Sequence, residues 1–182
     1  MRRPKLTRWR VAVVGAGTLA AFLAMPFPYI GGPAVADVQE AAIRYLLHHN
    51  ASGLQDRLQV CFVGLGSSFG EDEPHDPPRE FLERFADFPV PVHPVSEVVH
   101  ARPRGPGHVD SPDGGVFGHV ADKEGRPGLV FAAGDVRRWS GGVAVCRGHY
   151  YEAGLSAAEY DIYLIRVPFG WVPVYARVLW VS

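Results

Sequence analysis

The stretch VAVCRGHYYEAGLSAAEYDIYLIRVPFGWVPVYARVLWV, Val143 to Val181, decides the fold. It holds three segments rich in β-branched and aromatic residues, parted by AGLSAA and by Pro168-Phe169-Gly170. Runs of that composition between short turns read as strands. Upstream, GVFGHV, the turn ADKEGRPG with Gly125 available for φ > 0, and LVFAAGDVRRW continue the pattern as far as the Ser140-Gly141-Gly142 turn. Consecutive strands with short connections predict an antiparallel meander. Pro173 cannot donate to a ladder, so the last strand is expected at an edge or bulged there.

Further upstream lie the elements expected to cover this sheet. Asp37 to Asn50 predicts a helix, with Asp37 and Glu40 spaced as a capping box and Gly53 as a stop. Val38, Ala41, Ala42, Tyr45 and Leu46 fall on one face of it. Leu58 to Leu65 is apolar at nearly every position, as in a strand covered on both sides. Asp76 is placed to cap a second helix, Pro77 to Ala86, with Phe81, Leu82 and Phe85 turned inward. The expected architecture is α+β: an antiparallel meander sheet of about five or six strands, covered on one face by two short helices. Arg102 to Gly115 is rich in Gly and Pro and reads as an exposed loop.

Residues 1–36 read as a secretory signal peptide. MRRPKLTRWR is basic, Val11 to Met25 is apolar, and Ala34 and Ala36 fit the small-x-small rule before Asp37. Left uncleaved, the apolar run would make a short membrane anchor, the only membrane contact expected. The domains are then a 1–36 signal peptide and a single 37–182 α+β domain, secreted, periplasmic or in the cell envelope. All 19 acidic residues follow position 36, against 13 of the 18 basic ones, so the remaining chain carries a net −6. An acidic domain lacks the clustered Lys and Arg that nucleic acid demands.

Candidate chemistry is sparse. On the strand VAVCRGHYYE, alternation puts Val145, Arg147, His149 and Tyr151 on one face. A cross-strand neighbour such as Glu152 or Asp161 would give His149 a carboxylate for acid–base work; the same residues also suit ordinary cross-strand pairs. Tyr151, Tyr160 and Tyr163 are the candidate ligand-binding aromatics. Trp139, Tyr151, Phe169 and Trp180 are candidates for an exposed apolar patch.

Cys61 and Cys146 could pair in an oxidising compartment, closing a long loop worth roughly 4–5 kcal/mol, or remain as two buried free thiols. Gly66-Ser67-Ser68-Phe69-Gly70 spells G-x-S-x-G, but EDEPHDPP follows where a nucleophile elbow needs a helix. Gly64-Leu65-Gly66 lacks a dinucleotide site's third glycine. Cys146 and His149, three apart on a strand, point to opposite faces. His48 and His49 are neighbours at a helix end. No metal or cofactor is expected. Asn50-Ala51-Ser52 fits the N-glycosylation sequon.

The closing stretch, HYYEAGLSAAEYDIYLIRVPFGWVPVYARVLWVS, resembles the end of small exported bacterial proteins of unassigned function. The paired Tyr150-Tyr151, Gly154-Leu155, the strand with Tyr160 and Tyr163, Gly170-Trp171-Val172 and the terminal Trp180-Val181-Ser182 carry the likeness. Trp171 follows Gly170 directly, one residue short of the pattern. Glu152 and Ser156 stand where some members carry cysteines, which speaks against redox or metal chemistry here. The resemblance implies an exported domain and no particular activity. The order of helix, strand, helix and curved sheet is also similar to the nuclear-transport-factor-like α+β cone, a fold that hosts enzymes and binding modules alike. The expectation is a non-catalytic binding or interaction module with a protein or small-molecule partner. The alternative is a small hydrolase- or isomerase-like enzyme using His149 and a carboxylate in a concave sheet face.

Overall fold

The computed structural model describes residues 35–54, 57–66, 73–101, 119–140, 142–153 and 156–182, the side chains of 101 and 138–140 excepted. Helix α1 runs Val35–His48, β1 Val60–Leu65, helix α2 Arg79–Leu82 with a 3₁₀ turn Glu83–Phe85. Then come β2 Val92–Pro94, a 3₁₀ turn Val95–Glu97, β3 Val99–Ala101 and β4 His119–Ala121. Four long strands close the chain: β5 Gly128–Ser140, β6 Val143–Ala153, β7 Ser156–Val167 and β8 Gly170–Val181.

Six strands form the main sheet in the order β2-β1-β5-β6-β7-β8, and β3 pairs with β4 in a separate two-stranded sheet. β5 to β8 are the antiparallel meander that their short turns require. β1 differs, lying parallel to both β2 and β5. It leaves the sheet through α2 rather than through a hairpin, and such a crossover returns the chain parallel. Buried from Val60 to Gly64, β1 is the covered strand that its unbroken apolar run predicts. β8 is the edge, and its pairing slips between Tyr163↔Tyr175 and Leu164↔Pro173, so Pro173 sits both at an edge and beside a bulge. Gly125 takes φ 80° in the turn before β5.

Both helices pack on one face of the sheet. Val38, Ala42, Ile43, Leu46 and Leu47 of α1 share a core with Phe81 and Phe85 and with Phe131, Cys146 and Ile162 from the strands. The buried stripe follows the i, i+4 rows through Ile43 and Leu47; Ala41 and Tyr45 flank it, partly buried. Gly148 lets the helix come close: a Cβ there would lie 2.9 Å from both Leu46 Cδ1 and Ile162 Cδ1.

Two local expectations are corrected. Asp37 and Glu40 do not make a capping box, because the helix already includes Val35 and Ala36. Both carboxylates accept from Arg84 Nη1, at 2.8 and 3.1 Å, tying α1 to the 3₁₀ turn after α2. Asp76 does not cap α2, for its oxygens accept from Ser96 N and Ser96 Oγ, at 2.8 and 2.6 Å. Asn50 closes the end of α1, its buried Nδ2 donating to Leu46 O at 2.8 Å.

Cys61 and Cys146 are free buried thiols rather than a disulfide. Cys61 stands opposite Leu129 of β5, whereas Cys146 lies on the next strand, beyond the Gly134↔Arg147 pair. Five residues of β5 separate the two levels, roughly 17 Å of strand, far beyond the ~7 Å that a disulfide tolerates between Cα atoms. Burial pushes both thiols up to about 12.

Candidate functional site

The second face of the sheet, opposite the helices, carries the polar residues. Where β1 and β5 lie, this face is covered. Val60, Phe62, Val120 and Val130 make a small core there with Val95, Val98 and Tyr151. The segment 73–76 is held by Leu65 N→His75 O and His75 N→Leu65 O, both 2.9 Å. Pro74 and Val95 close over Gly64, whose missing side chain makes room for them.

From β5 to β8 the register sets the side chains of this face in rows. Val130, Tyr151 and Ala157 form the first; Ala132, His149, Glu159 and Trp180 the second; Gly134, Arg147, Asp161 and Arg177 the third. The bulge in β5 completes the third row. Asp135, at φ 45°, supplies the extra residue. The alternation is thereby reversed, so Val136 turns to the helix-side core and Arg137 reaches Asp161.

Asp161 is the centre of an ion-pair network. Arg137 Nη2 donates to Oδ1 at 2.6 Å, Arg177 Nη2 to Oδ2 at 2.7 Å, and Arg147 Nε stands 3.7 Å from Oδ1. Burial pushes this carboxyl up, but Arg177's hydrogen bond and the charges of Arg137 and Arg147 outweigh it and hold Asp161 below its ordinary value. Glu159 is the residue that sequence reading missed. Its Oε2 accepts from Trp180 Nε1 at 2.8 Å, and Arg147 Nε lies 3.7 Å from Oε1.

The three residues considered for catalysis separate. His149 is fully buried, and burial pushes its imidazole down to about 4. Its directly opposed carboxylate is Glu159; Asp161 lies one row on, opposite Arg147. Glu152 is elsewhere, at the end of β6, where Oε2 accepts from Ser52 Oγ and Ser156 Oγ, both at 2.7 Å. The three tyrosines separate too. Tyr160 belongs to the helix-side core, stacked on Tyr150 with ring centroids 6.5 Å apart. Tyr163 is on the second face against Tyr175, with centroids 5.4 Å apart. Of the three, Tyr151 lines the main cavity of the second face.

That cavity, about 970 Å³, opens where the covering segments end and the sheet continues. Ala157 lines it, with Tyr151 directly opposite on β6 and Trp180 one row on along β8, opposite Glu159. The small side chain leaves a slot bounded by the two aromatics. Val95, Val98 and Val130 give it apolar lining; Glu73, His75, Asp76 and His100 add polar groups. His100 meets Tyr151 edge-on, with ring centroids 6.3 Å apart. Trp180 remains 40% exposed while its N–H is held by Glu159. Alternation alone puts Ala157 and Glu159 with Asp161; only the register sets them against Tyr151, His149 and Trp180.

Of the other candidates, Phe169 projects from the β7–β8 turn, 87% exposed and away from this cavity. The side chain of Trp139 and the whole of Ser68 lie outside the described residues. Among the described residues no group of three or more His, Cys, Asp or Glu side chains could hold a metal ion. No family model matches the chain, and neither the curated proteins nor the solved structures give a significant match.

Proposed function

We propose that this chain is an exported, non-catalytic binding module of the cell envelope or the extracellular space, which holds a small molecule in the cavity over Ala157. The observation that carries the reading is the slot between Tyr151 and Trp180. Its volume of about 970 Å³ is at the upper end of what small-molecule sites occupy. Mostly apolar walls with a few convergent polar groups are the usual make-up of such sites. The acid–base candidates named from the sequence stand apart from it: His149 is sealed in the sheet, Glu152 is held by two serines and Asp161 by arginines. Export rests on the basic start, the apolar run and the Ala34-x-Ala36 pattern. Among the described residues no helix is long and apolar enough to cross a membrane.

The test is a ligand screen by thermal shift on the purified chain and on Ala157→Trp, which fills the slot. Compounds that stabilise the chain and lose their effect in Ala157→Trp support the reading; equal shifts in both place binding elsewhere and sink it. An enzyme built on His149 and its cross-strand neighbour Glu159 is the second reading. It requires hydrolytic or isomerase turnover that His149→Phe abolishes while ligand binding persists.

A further inference from the structure

We infer that the ligand of this cavity is a small organic cation, an alkylammonium or quaternary ammonium group seated between Trp180 and Tyr151; the inference rests on the binding reading above. Three observations converge on it. The first is sign. The described residues lining the cavity include the carboxylates of Glu73 and Asp76 and no Arg or Lys. Asp76 accepts its hydrogen bonds from Ser96 N and Oγ, which are neutral donors, so it is fixed in place without losing its charge. An anion would enter this slot against both carboxylates, with no Arg or Lys among the described residues of its walls.

The second is the aromatic geometry. The faces of Trp and Tyr rings attract cations, Trp most strongly. Here Tyr151 faces Ala157 on the neighbouring strand, Trp180 stands one row on, opposite Glu159, and His100 bears edge-on against Tyr151. Large aromatics around a small floor residue are the arrangement by which ammonium groups are recognised.

The third is the tuning of Trp180. Its indole N–H donates to the Glu159 carboxylate at 2.8 Å. That bond fixes the ring against the sheet, and a carboxylate acceptor shifts electron density into the indole, making its face more attractive to positive charge. Trp180 therefore serves as a binding wall held by a positioning residue, Glu159. The arginines of the next row are engaged with Asp161 and do not line the slot.

The experiment titrates the full chain with three probes of nearly one shape: choline, its neutral carbon isostere 3,3-dimethylbutan-1-ol, and the anion 3,3-dimethylbutyrate. Binding is read from the indole N–H resonance of Trp180, assigned with Trp180→Phe. Choline is expected to shift that resonance and to bind about two- to fivefold tighter than the neutral isostere, which is what one cation–π contact at a partly exposed site is worth. The anion is expected to bind weakest. Glu159→Gln keeps an acceptor but removes the charge, and should weaken choline severalfold while leaving the neutral isostere unchanged. If the neutral probe binds as well as choline, or the anion better, the cation assignment is wrong and the binding reading stands. If no probe moves the resonance, the cation assignment fails, and the binding reading rests on the ligand screen with Ala157→Trp. The comparison among probes needs no variant, so misfolding of one cannot blur it.

Discussion

His149 makes the fold sensitive to acid at the scale of one residue. Burial holds its folded pKa at about 4, below the ~6.5 of an unfolded histidine. Between those values the unfolded chain takes up a proton that the native chain refuses, so stability is complete above ~6.5 and falls as pH drops toward 4. The full loss is about 3 kcal/mol. Urea midpoints measured from pH 7.5 to 4.5 should fall steeply in the wild type and only gently in His149→Phe; parallel curves would rule out this assignment. Asp161 acts in a lower window. Its folded pKa is depressed, so its contribution is present above ~3.9 and is lost as pH falls through the folded value. Asp161→Asn should cost about 2 kcal/mol at neutral pH by leaving three arginines facing each other, with the arginines' own exposure limiting the loss. A midpoint unchanged by the substitution would show that the arginines turn to water at no cost.

At the scale of elements, the seating of α1 on β6 depends on Gly148. Leu46 and Ile162 converge on the space that a side chain would take. Both contact atoms are ends of flexible side chains, so Gly148→Ala is expected to be tolerated with small shifts. Gly148→Val should lift the helix and cost about 2–3 kcal/mol, as overpacking does, with a matching drop in Tm. Equal stability of the two variants would mean that the helix is not seated there. The strands of the meander are legible in the sequence because β-branched and aromatic runs stop at Pro168-Phe169-Gly170 and at Gly125. The parallel placement of β1 is not legible, because an apolar strand carries no mark of its neighbours' direction. Nor are the partners of Asp37 and Asp76: cap-like spacing is local, whereas Arg84 and Ser96 arrive from distant elements.

At the scale of the whole molecule, the sheet order gives a gradient of protection. β5, β6 and β7 are interior strands, while β8 has a free edge with Val174, Tyr175, Val178 and Val181 exposed. Amide hydrogen exchange is expected to be slowest in β5–β7 and clearly faster in the outward amides of β8; uniform protection through β8 would indicate that a partner covers its edge. By itself the sequence determined the α+β class, the meander, the edge position of Pro173 and the faces shared by Arg147, His149 and Tyr151. These follow from composition, turn residues and a period of two, which are properties of the chain read locally. Only the tertiary structure decided that His149 opposes Glu159, that Tyr160 is core, that the cysteines stand apart, and that Tyr151, Ala157 and Trp180 line one cavity. Those are matters of register and bulge, and a slip of one residue between strands would exchange every face without changing a letter of the pattern.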